Sequence, residues 1–452
     1  MKPWSLLLLL CLASACRTAD NPVTRRTPQP DADGFVPLFN GRDLTGWIPA
    51  NVAPETFTVR DGMIISTGVP TGIMHTDRMY ENFILEMEWR HMKPAGNAGL
   101  FLWGDPVTAP GVPFSRGIEV QVLENAYGEG SPQRNVSFTS HGDIFPIHGA
   151  TMTPHSKNRG SRSLPLEHRS NPSPEWNHYR VVATNGTVRL SVNGKEVTTG
   201  TDCSPRKGYI CLESEGSECH FRNIRIKELP STTVPPEHTA KAYEGFQSIY
   251  TGIDLRGWKL PAGHEGHWTP RDWILNYDGK STAEDKNLWT EKEYGDFEMI
   301  VDWRLPMKPE PRPLQVILPN GDDAVDDTGK KKLVEVPFAG DSGLYLRGSS
   351  KAQINISCKP IGSGEVYGYR VDRQMPPEVR AAVTPRVRAD KPPGQWNRFH
   401  ITLRGERLTV VLNGQTVIEN ARLPGLPARG PIALQHHGDP VQFANIYVKE
   451  LR

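Results

Sequence analysis

Phe35-Val-Pro-Leu-Phe-Asn-Gly-Arg-Asp-Leu-Thr-Gly-Trp47 returns about two hundred residues later as Phe246-Gln-Ser-Ile-Tyr-Thr-Gly-Ile-Asp-Leu-Arg-Gly-Trp258. Outward from this pair, further segments recur in the same order. Glu88-Trp-Arg90 returns as Asp302-Trp-Arg304, and Asn97-Ala-Gly-Leu-Phe-Leu102 as Asp341-Ser-Gly-Leu-Tyr-Leu346. Glu175-Trp-Asn177 returns as Gln395-Trp-Asn397, and Val192-Asn-Gly194 as Leu412-Asn-Gly414. Both copies close alike, with Phe221-Arg-Asn-Ile-Arg-Ile-Lys-Glu-Leu229 and Phe443-Ala-Asn-Ile-Tyr-Val-Lys-Glu-Leu451. The period is far too long for a solenoid, and each copy is long enough to bury a core of its own, so the chain is a duplicated domain. Differences between the copies then point to function.

Short alternating runs fill each copy, among them Phe83-Ile-Leu-Glu-Met-Glu-Trp89, Gly117-Ile-Glu-Val-Gln-Val-Leu123, Tyr179-Arg-Val-Val-Ala183 and Val188-Arg-Leu-Ser-Val192. Period-two alternation bounded by Gly, Asn or Pro predicts strands. Asn193-Gly194 and Asn413-Gly414 each join two such runs and predict hairpin turns with positive φ. No long stretch carries a helical period, and 42 Gly and 40 Pro favour turns. With 52 Lys plus Arg against 51 Asp plus Glu, the chain has no global field to attract nucleic acid or an anionic membrane. A neutral partner is expected.

The start carries Lys2, an apolar run from Leu6 to Leu12 and small residues before Cys16, the pattern of an export signal. Leu12-Ala-Ser-Ala-Cys16 resembles a bacterial lipobox, which would make Cys16 a lipidation site; an ordinary signal peptide with an incidental cysteine is the alternative. The domains are expected as signal peptide 1–16, tether 17–33, first domain 34–230, proline-stiffened linker 231–243 and second domain 244–452. Of the remaining cysteines, Cys203, Cys211 and Cys219 crowd the end of the first copy, where an oxidising compartment permits a disulfide such as Cys211 with Cys219. A zinc site with His220 is a second possibility, although no Cys-x-x-Cys pair exists. The second copy carries an insertion at 305–340 whose charges are expected on a solvated loop, and the first a long excursion at 139–175 of the kind that is functional or disordered.

Taken together, the opening motif, the Gly-Ile-Glu-Val-Gln-Val-Leu-Glu strand, the Glu/Gln-Trp-Asn strand, the Asn-Gly hairpin and the closing motif resemble the 3-keto-disaccharide hydrolase family. The resemblance covers nearly all of 34–230 and, with weaker middle portions, 244–452. It implies an all-β fold of two tandem concanavalin-like jelly-roll β-sandwich domains, with a concave sheet that binds sugar. It also implies an enzyme working on a 3-keto-glycoside made by a separate glycoside 3-dehydrogenase, and with the export signal and lipobox the expectation is an exported or surface-anchored protein of the bacterial envelope. No dinucleotide fingerprint appears in this chain to do that oxidation itself.

Alternation aims Glu119 and Gln121 away from the core, towards a solvent-lined face, with Glu124 and Asn125 at the strand end. Arg90, from an alternating run of its own, is expected on the same face as a cation. Within the excursion, His141 is the candidate base, Asp143 its orienting partner, and His148 a further ligand group; His155 and His168 lie further along. On the resemblance, His141 removes the C2 proton, Arg90 or His148 stabilises the enolate, and Glu119, Gln121, Glu124, Asn125 and Asn97 hold the substrate. No cofactor is required, though a bound metal ion could replace the cation. The second copy has Ser363-Gly-Glu365 in place of His141-Gly-Asp143 and gains His436 and His437, so catalysis is expected in the first domain and support or accessory sugar binding in the second. Two other classes stay open: a non-catalytic carbohydrate-binding lipoprotein, and an ordinary glycosidase pairing Glu119 with Glu124.

Overall fold

The computed structural model describes residues 29–128 and 141–452. The signal segment, Cys16 and the early part of the long excursion lie outside the described residues. Each copy folds as two antiparallel sheets packed face to face around its own core.

The repeated opening motif is structural. In the first copy the Asn40 side chain accepts from the N–H groups of Arg42 and Asp43, closing a turn. In the second, the Thr251 hydroxyl does the same for Ile253 and Asp254. The turn delivers a buried Trp whose indole N–H donates to the carbonyl of Leu38, in the case of Trp47, or Ile249, in the case of Trp258, at 2.8 and 2.9 Å. The Asn-Gly hairpins form as expected, Asn193 at φ 47° with Gly194 at 87°, and Asn413 at 51° with Gly414 at 83°.

In the first domain a nine-stranded sheet contains Phe83–His91, Asn177–Thr184 and Cys219–Glu228. Across the core stands an eight-stranded sheet containing, side by side, Ile144–Ile147, Gly117–Leu123, Asn97–Gly104, Tyr209–Ser214 and Gly72–Thr76. Ile118, Val120 and Val122 meet Leu85, Met87 and Trp89 in the core between the sheets. The second domain has an eight-stranded sheet, containing Phe297–Arg304 and Val441–Glu450, and a four-stranded one of Asn287–Tyr294, Gly430–Gln435, Ser342–Tyr345 and Gln353–Ile356.

The insertion at 305–340 is not a plain loop. It forms a hairpin of Glu310–Gln315 with Leu333–Phe338, and its Asp322 and Asp323 pair with Arg373, Arg380 and Lys331. Asp323 also meets Arg370, in a stretch that includes the short helices Tyr367–Val371 and Pro377–Ala382. The disulfide expectation is corrected too: Cys203, Cys211, Cys219 and Cys358 are free and buried. Cys211 lies on the outward side of the eight-stranded sheet, and Cys219 in the core on the other sheet.

The domains dock front to back. Ile73, Phe101, Tyr209 and Cys211, on the outer face of the first domain's eight-stranded sheet, pack with Ile300 and Tyr447 from the eight-stranded sheet of the second. Buried Asp302 accepts from Arg398 at 2.6 and 2.8 Å, from the Gly111 N–H at 2.8 Å and from Asn445 at 2.7 Å, tying a first-domain loop to the second domain. The second domain's four-stranded sheet therefore faces away from the first domain.

Candidate active site

On the strand Gly117–Leu123, Glu119 and Gln121 point out of the core as alternation requires, but neither is solvated: each is 7 % exposed. Their neighbours across the sheet explain why. Phe101 pairs with Glu119 and Gly99 with Gln121, while on the far side of that central strand Leu212 pairs with Leu100. The next residue, Glu213, is only 1 % exposed and carries an oxygen with no hydrogen-bond partner. Glu213 and Glu119 close over Gly99, where a Cβ would meet Glu213 Oε2 at 2.8 Å and Glu119 Oε1 at 3.1 Å. Any larger residue here would meet both carboxylates and the Phe101 ring, whose Cε1 would also lie 2.8 Å from the added Cβ.

Glu215 completes a trio. It accepts from Asn97 Nδ2 at 2.5 Å and lies within hydrogen-bonding reach of Glu213, and Asn97 Oδ1 accepts from Gln121 Nε2 at 2.8 Å. Burial is the largest cause raising all three carboxyl groups: Glu119 is pushed up to about 8, with the charge of Glu215 adding to the effect, and Glu213 and Glu215 are raised with it. Asp272 of the second domain adds its charge to Glu215 and accepts from the Thr71 N–H at 2.6 Å, so the second domain borders the site. Tyr127 stands close by, its phenol raised by burial and then by the charges of Glu215 and Glu213.

Asp143 joins this face, its carbonyl accepting from the Gln121 N–H at 2.9 Å. Burial raises its carboxyl to about 7 against the opposing pull of Arg162, which donates to Oδ2 at 3.0 Å; Oδ1 is buried without a partner. The Arg162 guanidinium also covers the Phe145 ring at 3.3 Å. The trio, Gln121, Asn97, Tyr127, Asp143 and Arg162 thus put carboxyl groups whose pKa values burial raises, Glu119 to about 8 and Asp143 to about 7, beside amide, phenol and guanidinium donors.

Four expected site residues lie elsewhere. Arg90 is on the other sheet: Trp89 points into the core, so Arg90 points out of the opposite side of the sandwich, 4.5 Å from the Trp176 ring and near His220. Glu124 is held by three backbone N–H groups, from Ala95, Ala126 and Ser173, and these lower its pKa against burial. It anchors loops, and an acid pair with Glu119 does not form. Asn125 bonds Ser170. His148 stacks on Phe114 and lines a separate cavity between the domains, with Arg116, Lys241 and Arg398.

His141 is 1 % exposed, shares a hydrogen bond with Ser170 Oγ at 2.7 Å and packs beside Trp89 and His168. Burial, and then the neighbouring His168, drop its pKa to about 3, so the ring is neutral. Asp143 is paired to Arg162 and does not orient it. Among the described residues no group of three or more His, Cys, Asp and Glu is placed to hold a metal ion.

Sequence reasoning passed over Glu213, Glu215, Tyr127 and Arg162. For the first two a signal existed, since Leu212-Glu-Ser-Glu-Gly216 is the segment that becomes Leu434-Gln-His-His-Gly438 in the second copy.

The 3-keto-disaccharide hydrolase of Bacteroides thetaiotaomicron is 24% identical over 244 residues, covering 44% of this chain and 80% of its own length. A crystal structure from Parabacteroides distasonis matches 44% of this chain and 95% of its own at 24% identity and a TM-score of 0.34. The carbohydrate binding module CBM66 from Bacillus subtilis matches 42% and 99% at 11% identity and a TM-score of 0.29. The family described as a 3-keto-alpha-glucoside-1,2-lyase-like domain matches residues 34–227 and again 245–449, nearly the whole of both repeats, and the chain belongs to that family twice over.

Proposed function

We propose that the first domain cleaves the glycosidic bond of 3-keto-glycosides, as a glycoside hydrolase-like enzyme acting by elimination and hydration. A ketone at C3 acidifies the hydrogen on C2. A carboxylate takes that proton, the electron pair forms the enolate, and the C1–O bond then breaks with its electrons leaving on the aglycone oxygen, which takes a proton. Water adds across the resulting double bond, its oxygen to C1 and a proton to C2, for a net hydrolysis. The route needs a base poised near neutrality, a donor for the enolate oxygen and a proton source for the leaving group.

The observation that carries this reading is the pair of buried carboxyl groups Glu119 and Glu213 over Gly99, with half-buried Glu215 beside them and all three pKa values raised. We assign base and acid to this trio, the enolate contact to Arg162 or Tyr127, and the hydroxyl contacts to Gln121 and Asn97. His141, neutral and packed into the core edge, becomes a positioning residue for its loop. Export and a lipid anchor at Cys16 would place this chemistry in the bacterial envelope, downstream of a separate glycoside 3-dehydrogenase.

The test is turnover of 3-keto-trehalose and of unoxidised trehalose by wild type, Glu213→Gln and His141→Ala. Cleavage of the keto sugar alone, lost in Glu213→Gln and retained by folded His141→Ala, is the expected result. Binding of the sugars with no cleavage of either would replace the enzyme by a carbohydrate-binding protein.

A further inference from the structure

The second domain repeats the geometry of the first site with the two central carboxyl groups replaced. Gly343 pairs with Asn355 and Tyr345 with Gln353, as Gly99 pairs with Gln121 and Phe101 with Glu119. Leu434 pairs with Leu344, as Leu212 does with Leu100, so Gln435 occupies the place of Glu213 and His437 that of Glu215. At the two central positions an amide thus replaces a carboxylic acid of the same length.

Gln353 and Gln435 line an open cavity of about 450 Å³ with Asp341, Lys359, Asn355, His437 and the rings of Tyr345 and Tyr367, within the size range of small-molecule sites. Its floor is ordered. Gln353 Nε2 donates to Gln435 Oε1 at 2.6 Å, and Gln435 Nε2 donates to the Tyr345 hydroxyl at 3.2 Å. Asn355 donates to Glu365 at 2.9 Å, and its Oδ1 is buried with no partner. Glu365 is itself answered by Lys359 at 2.8 Å and by Arg370, which leaves no uncompensated carboxylate from that side. The Tyr345 and Tyr367 rings supply aromatic surface within the cavity, and the Trp289 ring lies 6.1 Å from that of Tyr345.

Amides present donors and acceptors together, whereas ionised carboxylates only accept. Buried amides with unused capacity beside aromatic rings suit a ligand that alternates hydroxyl donors and acceptors with apolar ring faces. We infer that the outer face of the second domain's four-stranded sheet is a second saccharide site, one that holds a neutral sugar and does not cleave it. Gln353 and Gln435 cannot accept a C2 proton, so the two positions that carry Glu119 and Glu213 in the first domain supply no base here, and binding without turnover is the expected behaviour. It faces away from the first domain, so a polymer or surface glycan could be held there while the first site stays open. The inference rests on the amide pocket alone and stands whether or not the first domain is a hydrolase.

The experiment is calorimetric titration of the full chain with a panel of neutral probes: the methyl glycosides of glucose, galactose, mannose and xylose, with trehalose, maltose and cellobiose. The proteins are wild type, Glu119→Gln with Glu213→Gln, Gln435→Ala, and Gly343→Ala, whose new Cβ would sit 2.7 Å from Gln353 Nε2. Saturable binding of at least one probe should survive the double substitution in the first domain and weaken by about tenfold or more in Gln435→Ala and Gly343→Ala, with the thermal transition unchanged. Binding of no probe, or binding lost in the first-domain variant and untouched by both second-domain variants, would overturn the site. A wild-type protein that binds a probe at this site but turns over no keto sugar would refute the catalytic reading alone.

Discussion

Replacing Glu119 by Gln should make the protein more stable in alkaline solution while removing its activity. The Glu119 carboxyl is raised from 4.5 to about 8, chiefly by burial and then by the charge of Glu215. Between those values the folded protein keeps a proton that the unfolded chain releases, so the folded state binds more protons and stability falls as pH rises. At 1.36 kcal/mol per unit, a displacement of about 3.5 units sets a ceiling of about 5 kcal/mol on this loss by pH 9. At pH 5 the protonated acid and the amide are near-isosteric, and wild type and variant should unfold together. By pH 9 the variant should be ahead by about 3–5 kcal/mol, because removing Glu119 also removes its repulsion from Glu213. Urea unfolding at unit steps from pH 5 to 9 measures the difference, with the second domain's transition as internal reference. Turnover of 3-keto-trehalose, measured in parallel, should fall by about 10²-fold or more. A stability difference flat to within about 1 kcal/mol, or one favouring wild type at pH 9, would refute the raised carboxyl and the reasoning built on it.

Three further outcomes are expected. Arg90→Ala should leave keto-sugar turnover within about twofold and cost about 0.5–1 kcal/mol from its stacking on Trp176, read by kinetics and thermal melting; a large loss of turnover would return Arg90 to the site. Gly99→Ala should keep the circular dichroism of wild type and lower kcat/KM by about 10²-fold, since the added Cβ drives Glu213 and Glu119 from their positions. Asp302→Ala should destabilise by about 3–5 kcal/mol, because Arg398 is left buried without its partner, and should loosen the two domains as seen by small-angle scattering.

How much of this was legible beforehand depends on which physical rule each feature obeys. The Asn-Gly hairpins and the inward set Ile118, Val120 and Val122 follow from local rules, and the structure has them where those rules put them. The hairpin at 310–338 was missed because its outer positions are exposed and charged, which resembles a loop until its ion pairs with Arg373 and Arg380 are seen. Glu124 looked like a ligand group because a carboxylate at a strand end is polar and accessible in sequence terms. Three backbone N–H groups, two of them from distant loops, decided otherwise.

The amino-acid sequence by itself determined that the chain is two copies of one all-β domain, which residues of each strand share a face, and where the hairpins turn. Those are properties of single strands and their immediate turns. Only the tertiary structure decided that Arg90 and Glu119, each on the outward side of its strand, stand on opposite sides of one sandwich. It also brought Glu213, far along the chain, over Gly99 to meet Glu119, and turned the second domain's amide pocket away from the first site. The physical reason is that a period of two states which side chains leave a strand together, but not which sheet the strand joins or which strand lies beside it.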